Sequence, residues 1–423
     1  MGTGPVPLSL LPDSAEGRED GVSLGGVGLA KLAERFATPL FVYDEATLRH
    51  RCEEAAAAFD DGVALASKSF LCGAVARLAH ESRLCVDVAT GGELDLVLRA
   101  GVPADRVILH GNNKSVDELA RALEVGVHRV VVDNAEEIEA LARLLAGRSV
   151  DVLVRVTPGV EAHTHEYVRT GQEDTKFGFS VASGAARRAI ERLGGVAGVR
   201  VRGVHAHIGS QIFETRAFEE SVRTLVEFTR DDDFDELCVG GGLGVPYVEG
   251  ESAPSITQWA RAVRTAAADA GLDPAVRVIA EPGRALVAQA AVTVYRVGVV
   301  KELAVRTYVA VDGGMSDNPR PVLYGSGYEA FDLARPLAAR PRRVRIVGKH
   351  CESGDVLLDE GFLPVATGRG DLVVTPVTGA YGYSMASNYN RVPRPAVVVV
   401  SDGEARAVLR RETFDDLARL EVG

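Results

Sequence analysis

The sequence predicts an α/β chain made of a (β/α)8 TIM barrel followed by a C-terminal all-β domain. Three observations carry this prediction. A short apolar run, a polar or Gly turn and a helical pattern alternate eight times before about residue 290. The apolar runs are continuous rather than alternating, as expected for strands buried on both faces of a parallel sheet. Beyond that point the chain changes to Val- and Tyr-rich runs cut by Gly, Pro and Asp turns. A length of 423 residues exceeds one ordinary core and suits a barrel of roughly 250 residues with a second domain.

Residues 1–25 are rich in Gly, Pro and Ser without periodicity and read as a loose leader. Within 26–45, residues 29–36 read as a helix and 40–43 as a strand reaching the β domain. The barrel is assigned to 46–290, with strands at 63–67, 84–89, 106–109, 129–132, 152–156, 201–206, 236–239 and 276–280. Amphipathic stretches at 92–100, 115–125, 135–145 and 217–230 have the length of crossover helices. The β domain, 291–423, holds strand patterns at 292–300, 307–311, 343–347, 372–377 and 396–401.

A net charge of −12 argues against sequence-independent binding to nucleic acid or anionic membranes and points to a small ligand. No apolar run approaches the roughly 20 residues needed to span a bilayer, and residues 1–25 lack the pattern of a signal peptide. A cytoplasmic location is expected. Five cysteines, an odd number without a CxxC pair or zinc spacing, read as reduced thiols, and no metal site is expected.

Catalytic groups of such barrels cluster at the carboxyl ends of the strands. Strand one ends at Lys68, two at Asp87 with Thr90-Gly91-Gly92-Glu93, three at His110-Gly111-Asn112-Asn113 and five at Arg155. Strand six ends at His205-Ala206-His207-Ile208-Gly209-Ser210, seven at Gly240-Gly241-Gly242-Leu243-Gly244 and eight at Glu281-Pro282-Gly283-Arg284. A lysine at a desolvated strand end is pushed toward its neutral, reactive form, which implies a carbonyl partner. Taken alone, a lysine that snorkels from the mouth accounts for Lys68 equally well.

The neighbouring strand ends decide between these readings. The Gly240-Gly241-Gly242 turn follows strand seven, where barrels customarily hold a phosphate, with Ser210 and the amides near Gly283 to complete the cradle. Glu281 is placed to bond a ring nitrogen and keep it protonated, making a cofactor ring an electron sink. His207 suits stacking on that ring, whereas alternation along strand six is expected to turn His205 elsewhere. In the β domain, His350-Cys351-Glu352-Ser353-Gly354-Asp355 sets a thiol beside carboxylates, which suits a protonated donor better than a thiolate nucleophile. Arg320, in Ser316-Asp317-Asn318-Pro319-Arg320-Pro321 with Tyr324, has the fork geometry to grip a carboxylate. For both loops, solvated surface is the competing reading.

These residues resemble diaminopimelate decarboxylase, within the alanine racemase-like group of pyridoxal phosphate (PLP) barrels. The resemblance runs from about Pro39 to Arg394. It rests on Ala66-Ser67-Lys68, the stretch from Asp87 to Leu94, residues 163–178 (HTHEYVRTGQEDTKFG), His207-Ile208-Gly209-Ser210-Gln211, GGGLG, EPGR, SDNPRPVLY, HCESGD and Gly379-Ala380-Tyr381. It implies that Lys68 is the Schiff-base lysine, that His207 stacks on the ring, and that Ser210, Gly242, Glu281, Pro282, Gly283 and Arg284 contact the cofactor. It further implies substrate-binding roles for Arg284, Arg320, Tyr324 and Glu352, a contact of Tyr381 with both substrate and cofactor, and Cys351 as general acid. A homodimer with shared active sites is implied, with Glu352 supplied across the interface. The expected activity is decarboxylation of meso-2,6-diaminopimelate to L-lysine. The rivals are a related decarboxylase acting on ornithine, arginine or carboxynorspermidine, an amino-acid racemase, and a catalytically silent PLP-binding regulator.

Overall fold

The computed structural model describes residues 4–5, 8–18, 21–160 and 175–422. The chain divides into two compact units, one formed by Arg51–Gly244 with Ala253–Ala285 and the other by Met1–His50, Val245–Ser252 and Leu286–Gly423.

The first unit is a parallel barrel. Its strands are β1 (Ala64–Ala66), β2 (Cys85–Val88), β3 (Val107–Leu109), β4 (Arg129–Val132), β5 (Val150–Thr157), β6 (Val199–His205), β7 (Glu236–Cys238) and β8 (Arg277–Ile279). They pair in chain order, each parallel to the next. The ring closes where the Ala64 N–H donates to the Ala280 carbonyl at 3.0 Å and the Ala280 N–H donates to the Gly62 carbonyl at 2.9 Å. Six of the strands fall within the apolar runs seen in the sequence, β5 extends its run by two residues before and one after, and β6 starts two residues early.

One layer of the interior is apolar: Ala64, Cys85, Ile108, Val131, Leu153, Cys238 and Ile279 pack together at the centre. Below it, Arg129 of β4 meets Glu236 of β7 through two hydrogen bonds of 2.9 and 2.7 Å, with Asp151 of β5 at 3.0 Å. Strands β4 and β7 are not neighbours, so this pair spans the interior and plugs the amino end. Both partners are buried, and removing either would strand a charge at a cost of about 3–5 kcal/mol. Two of the crossover helices begin on capping boxes. Ser115 and Glu118 form a capping box at Val116–Val125, as do Ser255 and Gln258 at Ile256–Asp269.

The second unit is built around strand Ala291–Glu302. It pairs antiparallel with Leu40–Asp44, Thr307–Val311 and Leu372–Pro376. Leu40–Asp44 in turn runs parallel to Ala396–Ser401. The sequence pattern missed strands Val356–Leu363 and Glu404–Leu409; the first is interrupted by Asp359, Glu360 and Gly361, and the second faces largely outward. The leader reading is corrected. Leu10, Leu11, Val22 and Leu24 are buried, and Leu11, Val22 and Leu24 pack with Leu29, Leu32, Val292 and Val398 in the core of this unit. Glu16–Arg18 and Gly21–Leu24 form a hairpin. A few well-placed apolar side chains outweigh a Gly- and Pro-rich composition when a core is available to receive them.

Among the described residues no helix is long and apolar enough to cross a membrane. Residues 163–174 of the HTHEYVRTGQEDTKFG stretch lie outside those described.

Candidate active site

The barrel's strand period places the chemistry. Side chains two residues apart on a strand share a face, so the residues two beyond the apolar layer also point inward. They include Asp87, His110, Asp133, Arg155 and Glu281, and each of these five is buried.

Glu281 is the hub of this layer. Its Oε1 lies 3.0 Å from His110 Nε2 and its Oε2 lies 2.9 Å from His205 Nε2. The imidazole rings meet edge to face, 5.0 Å between centroids. Burial alone would raise the Glu281 carboxyl, yet the two imidazoles hold it well below the usual carboxylate range. Burial depresses His205 to about 4 despite Glu281 beside it. For His110, burial pulls down, but Asp87 and Glu281 together outweigh it and raise the ring above its ordinary value. Asp87 is lifted by burial to about 6, with His110 and Lys68 opposing the rise and Glu281 adding to it. The result is a buried anion held by one depressed and one raised imidazole. Although His110, His205 and Glu281 are metal-ligand residue types within reach of one another, both Nε2 atoms stand at hydrogen-bond distance from the carboxylate.

The expectation for His205 is corrected. Its Nε2 reaches Glu281 at 2.9 Å, so His205 points inward rather than away. His207, half-buried, accepts the Gly241 N–H through Nδ1 at 3.1 Å. Burial first and the Lys68 ammonium second keep it well below its ordinary pKa, so the ring is neutral with its proton on Nε2.

The loops after β6, β7 and β8 converge. The Ile212 N–H donates to the Gly242 carbonyl at 3.0 Å, and Arg284 Nη2 donates to Ser210 Oγ at 2.9 Å. Gly242 has a φ of 114°, and a Cβ there would collide with the Gly209 carbonyl, so only glycine lets the turn pack this closely. Pro282 and Gly283 are buried beside Glu281. Lys68 follows β1 in a single turn, Ser67–Ser69. The flanking serines are buried while Lys68 is exposed. The burial expected at this strand end therefore falls on Ser67 and Ser69.

The remaining candidates belong to the β unit. Arg320 opens helix Arg320–Tyr324 and is 4% exposed. Its Nη1 donates to Tyr328 at 2.6 Å, and its guanidinium lies 4.1 Å from the Tyr247 ring centre. Arg320 Nε is buried with no hydrogen-bond partner among the described residues. Tyr324 and Tyr381 are half-buried, the latter at a φ of 58°. Cys351 and Glu352 are exposed on one loop, and the Cys351 N–H donates to Asn390 Oδ1 at 3.1 Å.

A glycine turn at the phosphate position, a lysine above β1 and a buried anion at the end of β8 suit the phosphate, carbonyl and ring nitrogen of PLP. These features define a pyridoxal-type barrel enzyme. A family model described as the pyridoxal-binding domain of pyridoxal-dependent decarboxylases matches residues 45–288. The diaminopimelate decarboxylase of Mycobacterium tuberculosis is 47% identical over 424 residues, covering 95% of each chain. That of Bacillus subtilis is 46% identical over 428 residues, covering 97% of each. The structure of the M. jannaschii diaminopimelate decarboxylase in complex with L-lysine superposes with a TM-score of 0.90 at 31% identity, covering 97% of this chain and 98% of that one. The chain belongs to the diaminopimelate decarboxylase family.

Proposed function

We propose that the protein is a PLP-dependent carboxy-lyase that converts meso-2,6-diaminopimelate to L-lysine and carbon dioxide, the last step of lysine biosynthesis. The observation that carries this reading is the buried Glu281 anion, held between His110 and His205 in the mouth of a barrel. Bound PLP supplies an electron-accepting ring that takes up the pair left when a carboxylate departs.

The chain's own groups hold and direct that chemistry. Lys68 is the attachment point. Ser210, Gly242, Gly283 and Arg284 would hold the phosphate end and Pro282 would shape the turn, while His207, oriented by the Gly241 N–H, would lie against the ring. Glu281, held as an anion by His110 and His205, would accept a hydrogen bond from the ring N–H, since each carboxylate oxygen keeps a lone pair beyond the one an imidazole occupies. Arg320 supports recognition of the distal carboxylate through its Nε, which has no hydrogen-bond partner among the described residues. Arg284, Tyr324 and Tyr381 complete the substrate contacts, and Glu352 pairs with the distal ammonium. Cys351 passes its thiol proton to the α carbon, and its exposure makes that proton available. The enzyme works as a cytoplasmic homodimer in which Cys351 and Glu352 serve the partner's site; five free thiols suit a reducing compartment.

A panel of meso-diaminopimelate, ornithine and arginine, with carbon dioxide and product amino acid both measured, tests the substrate. L-lysine and carbon dioxide appearing one to one from meso-diaminopimelate is the expected result. Faster release from ornithine or arginine would overturn it.

A further inference from the structure

Two loops of the β unit, 312–318 and 348–355, meet around one buried carboxylate. Asp355 is 3% exposed. Its Oδ1 accepts the Met315 N–H at 2.6 Å and its Oδ2 accepts the His350 N–H at 2.8 Å. Each oxygen therefore serves a different loop. The Lys349 N–H donates to the Gly313 carbonyl at 3.0 Å, and His350 Nε2 lies 2.8 Å from Ser316 Oγ. A Cβ on Gly314 would lie 2.6 Å from Asp355 Oδ1 and 2.8 Å from His350 Cδ2, so this approach requires glycine.

The first loop is braced in its turn. The Gly314 N–H donates to Asp317 Oδ1 at 2.8 Å, and the Tyr295 hydroxyl donates to Asp317 Oδ2 at 2.7 Å. From there the chain runs directly into helix Arg320–Tyr324. The second loop carries Cys351 and Glu352 between His350 and Asp355. Burying a carboxylate carries a desolvation cost that an ordinary loop contact would avoid. What it provides is a rigid plane whose two oxygens each accept a backbone N–H, one from each loop.

We propose that Asp355 is a positioning residue that locks the Cys351–Glu352 loop to the loop leading into Arg320, so that the two move as one body. The proposal rests on the roles assigned above to Arg320 and Cys351 only for its kinetic consequence; the lock itself does not depend on them. If the loops are one body, loosening the lock disturbs substrate binding and proton delivery together.

The test is Asp355→Asn in the PLP-loaded, full-length enzyme. Asparagine keeps the size but replaces one acceptor with an N–H2 group that faces a backbone N–H. Hydrogen exchange should rise by about tenfold or more in both 312–320 and 348–355, the loss expected for a hydrogen bond to a charged group. Exchange in strand Ala396–Ser401 should stay unchanged. In the same variant KM should rise and kcat should fall. Ser316→Ala, which removes only the link to His350, should move the same two segments by a smaller factor, and it substitutes if Asp355→Asn does not fold. Faster exchange in one loop alone, or a uniform rise across the β unit, overturns the proposal. Full turnover in Cys351→Ser would instead refute the acid assignment while leaving the exchange result standing.

Discussion

Replacing His205 with leucine isolates what the buried histidines do for Glu281. His205 is 2% exposed, and its Nε2 is 2.9 Å from Glu281 Oε2. Because burial depresses its pKa to about 4, the ring is neutral at working pH, and the substitution removes a donor rather than a charge. Leucine fills a comparable volume, so packing is largely kept. A hydrogen bond to a charged group contributes about 1.5–3 kcal/mol, and about 1.4 kcal/mol corresponds to one pKa unit. The Glu281 carboxyl should therefore rise by about one to two units. Its depressed pKa contributes stability above the unfolded value of 4.5 that is lost as pH falls through the folded one, so the variant also loses acid tolerance. Isotope-edited infrared titration of the cofactor-free protein reads the carboxyl directly. In the loaded enzyme the acid limb of kcat/KM should move up by a similar amount. His205→Gln keeps an N–H donor and should recover most of the shift. A folded His205→Leu protein whose Glu281 titrates as in the wild type would refute the reasoning.

Lys68→Ala should lose the visible absorbance of bound PLP and turnover together; a variant that retains both removes Lys68 from the mechanism. Mixing Lys68→Ala and Cys351→Ala proteins should regenerate about a quarter of wild-type turnover, since half of randomly reassorted symmetric dimers are mixed and one of their two sites is intact. No recovery after verified subunit exchange would place both residues in the same subunit's site. Burial lifts Asp317 from 3.8 to about 7, and a carboxyl raised in the fold costs stability as pH climbs from near 4 to 7, with the full cost above 7. Asp317→Asn should accordingly raise the thermal midpoint at pH 8.5 relative to wild type but not at pH 4, with an upper bound of roughly 4 kcal/mol. An equal change at both pH values would show that the carboxyl's charge is not the cause.

Most of the barrel was legible because β1 to β4 and β7 are buried along their whole length and β5 nearly so. The β unit was less legible. Strand Val356–Leu363 carries Asp359 and Glu360, and Glu404–Leu409 is mostly exposed, so neither has a run to find. The leader misled through composition: Leu10, Leu11, Val22 and Leu24 are too few to raise local hydropathy, yet all four are buried. In the site, His207 and Glu281 could be singled out because stacking and ring protonation call for their residue types. His110 and Asp87 were visible only as strand ends, since a supporting role depends on what the side chain touches across the barrel. Asp355 was equally silent, because its partners are backbone N–H groups whose position no residue type records.

The supporting residues do leave one signal in the sequence, and it lies in the strand period. The apolar layer is made by Cys85, Ile108, Val131, Leu153 and Ile279, and adding two to each number gives Asp87, His110, Asp133, Arg155 and Glu281. Subtracting two from 131 and 153 gives Arg129 and Asp151, which meet in the plug at the amino end. A strand's period of two thus turns one inward residue per strand into a layer-by-layer map of the interior. At the end of β6, His205 meets this layer through Glu281. The charged layer is confined to one level because the apolar layer beneath it shields it from the plug. That separation leaves Glu281 paired with His110 and His205 rather than with Arg129, and it ties the electronic role proposed for Glu281 to two imidazoles.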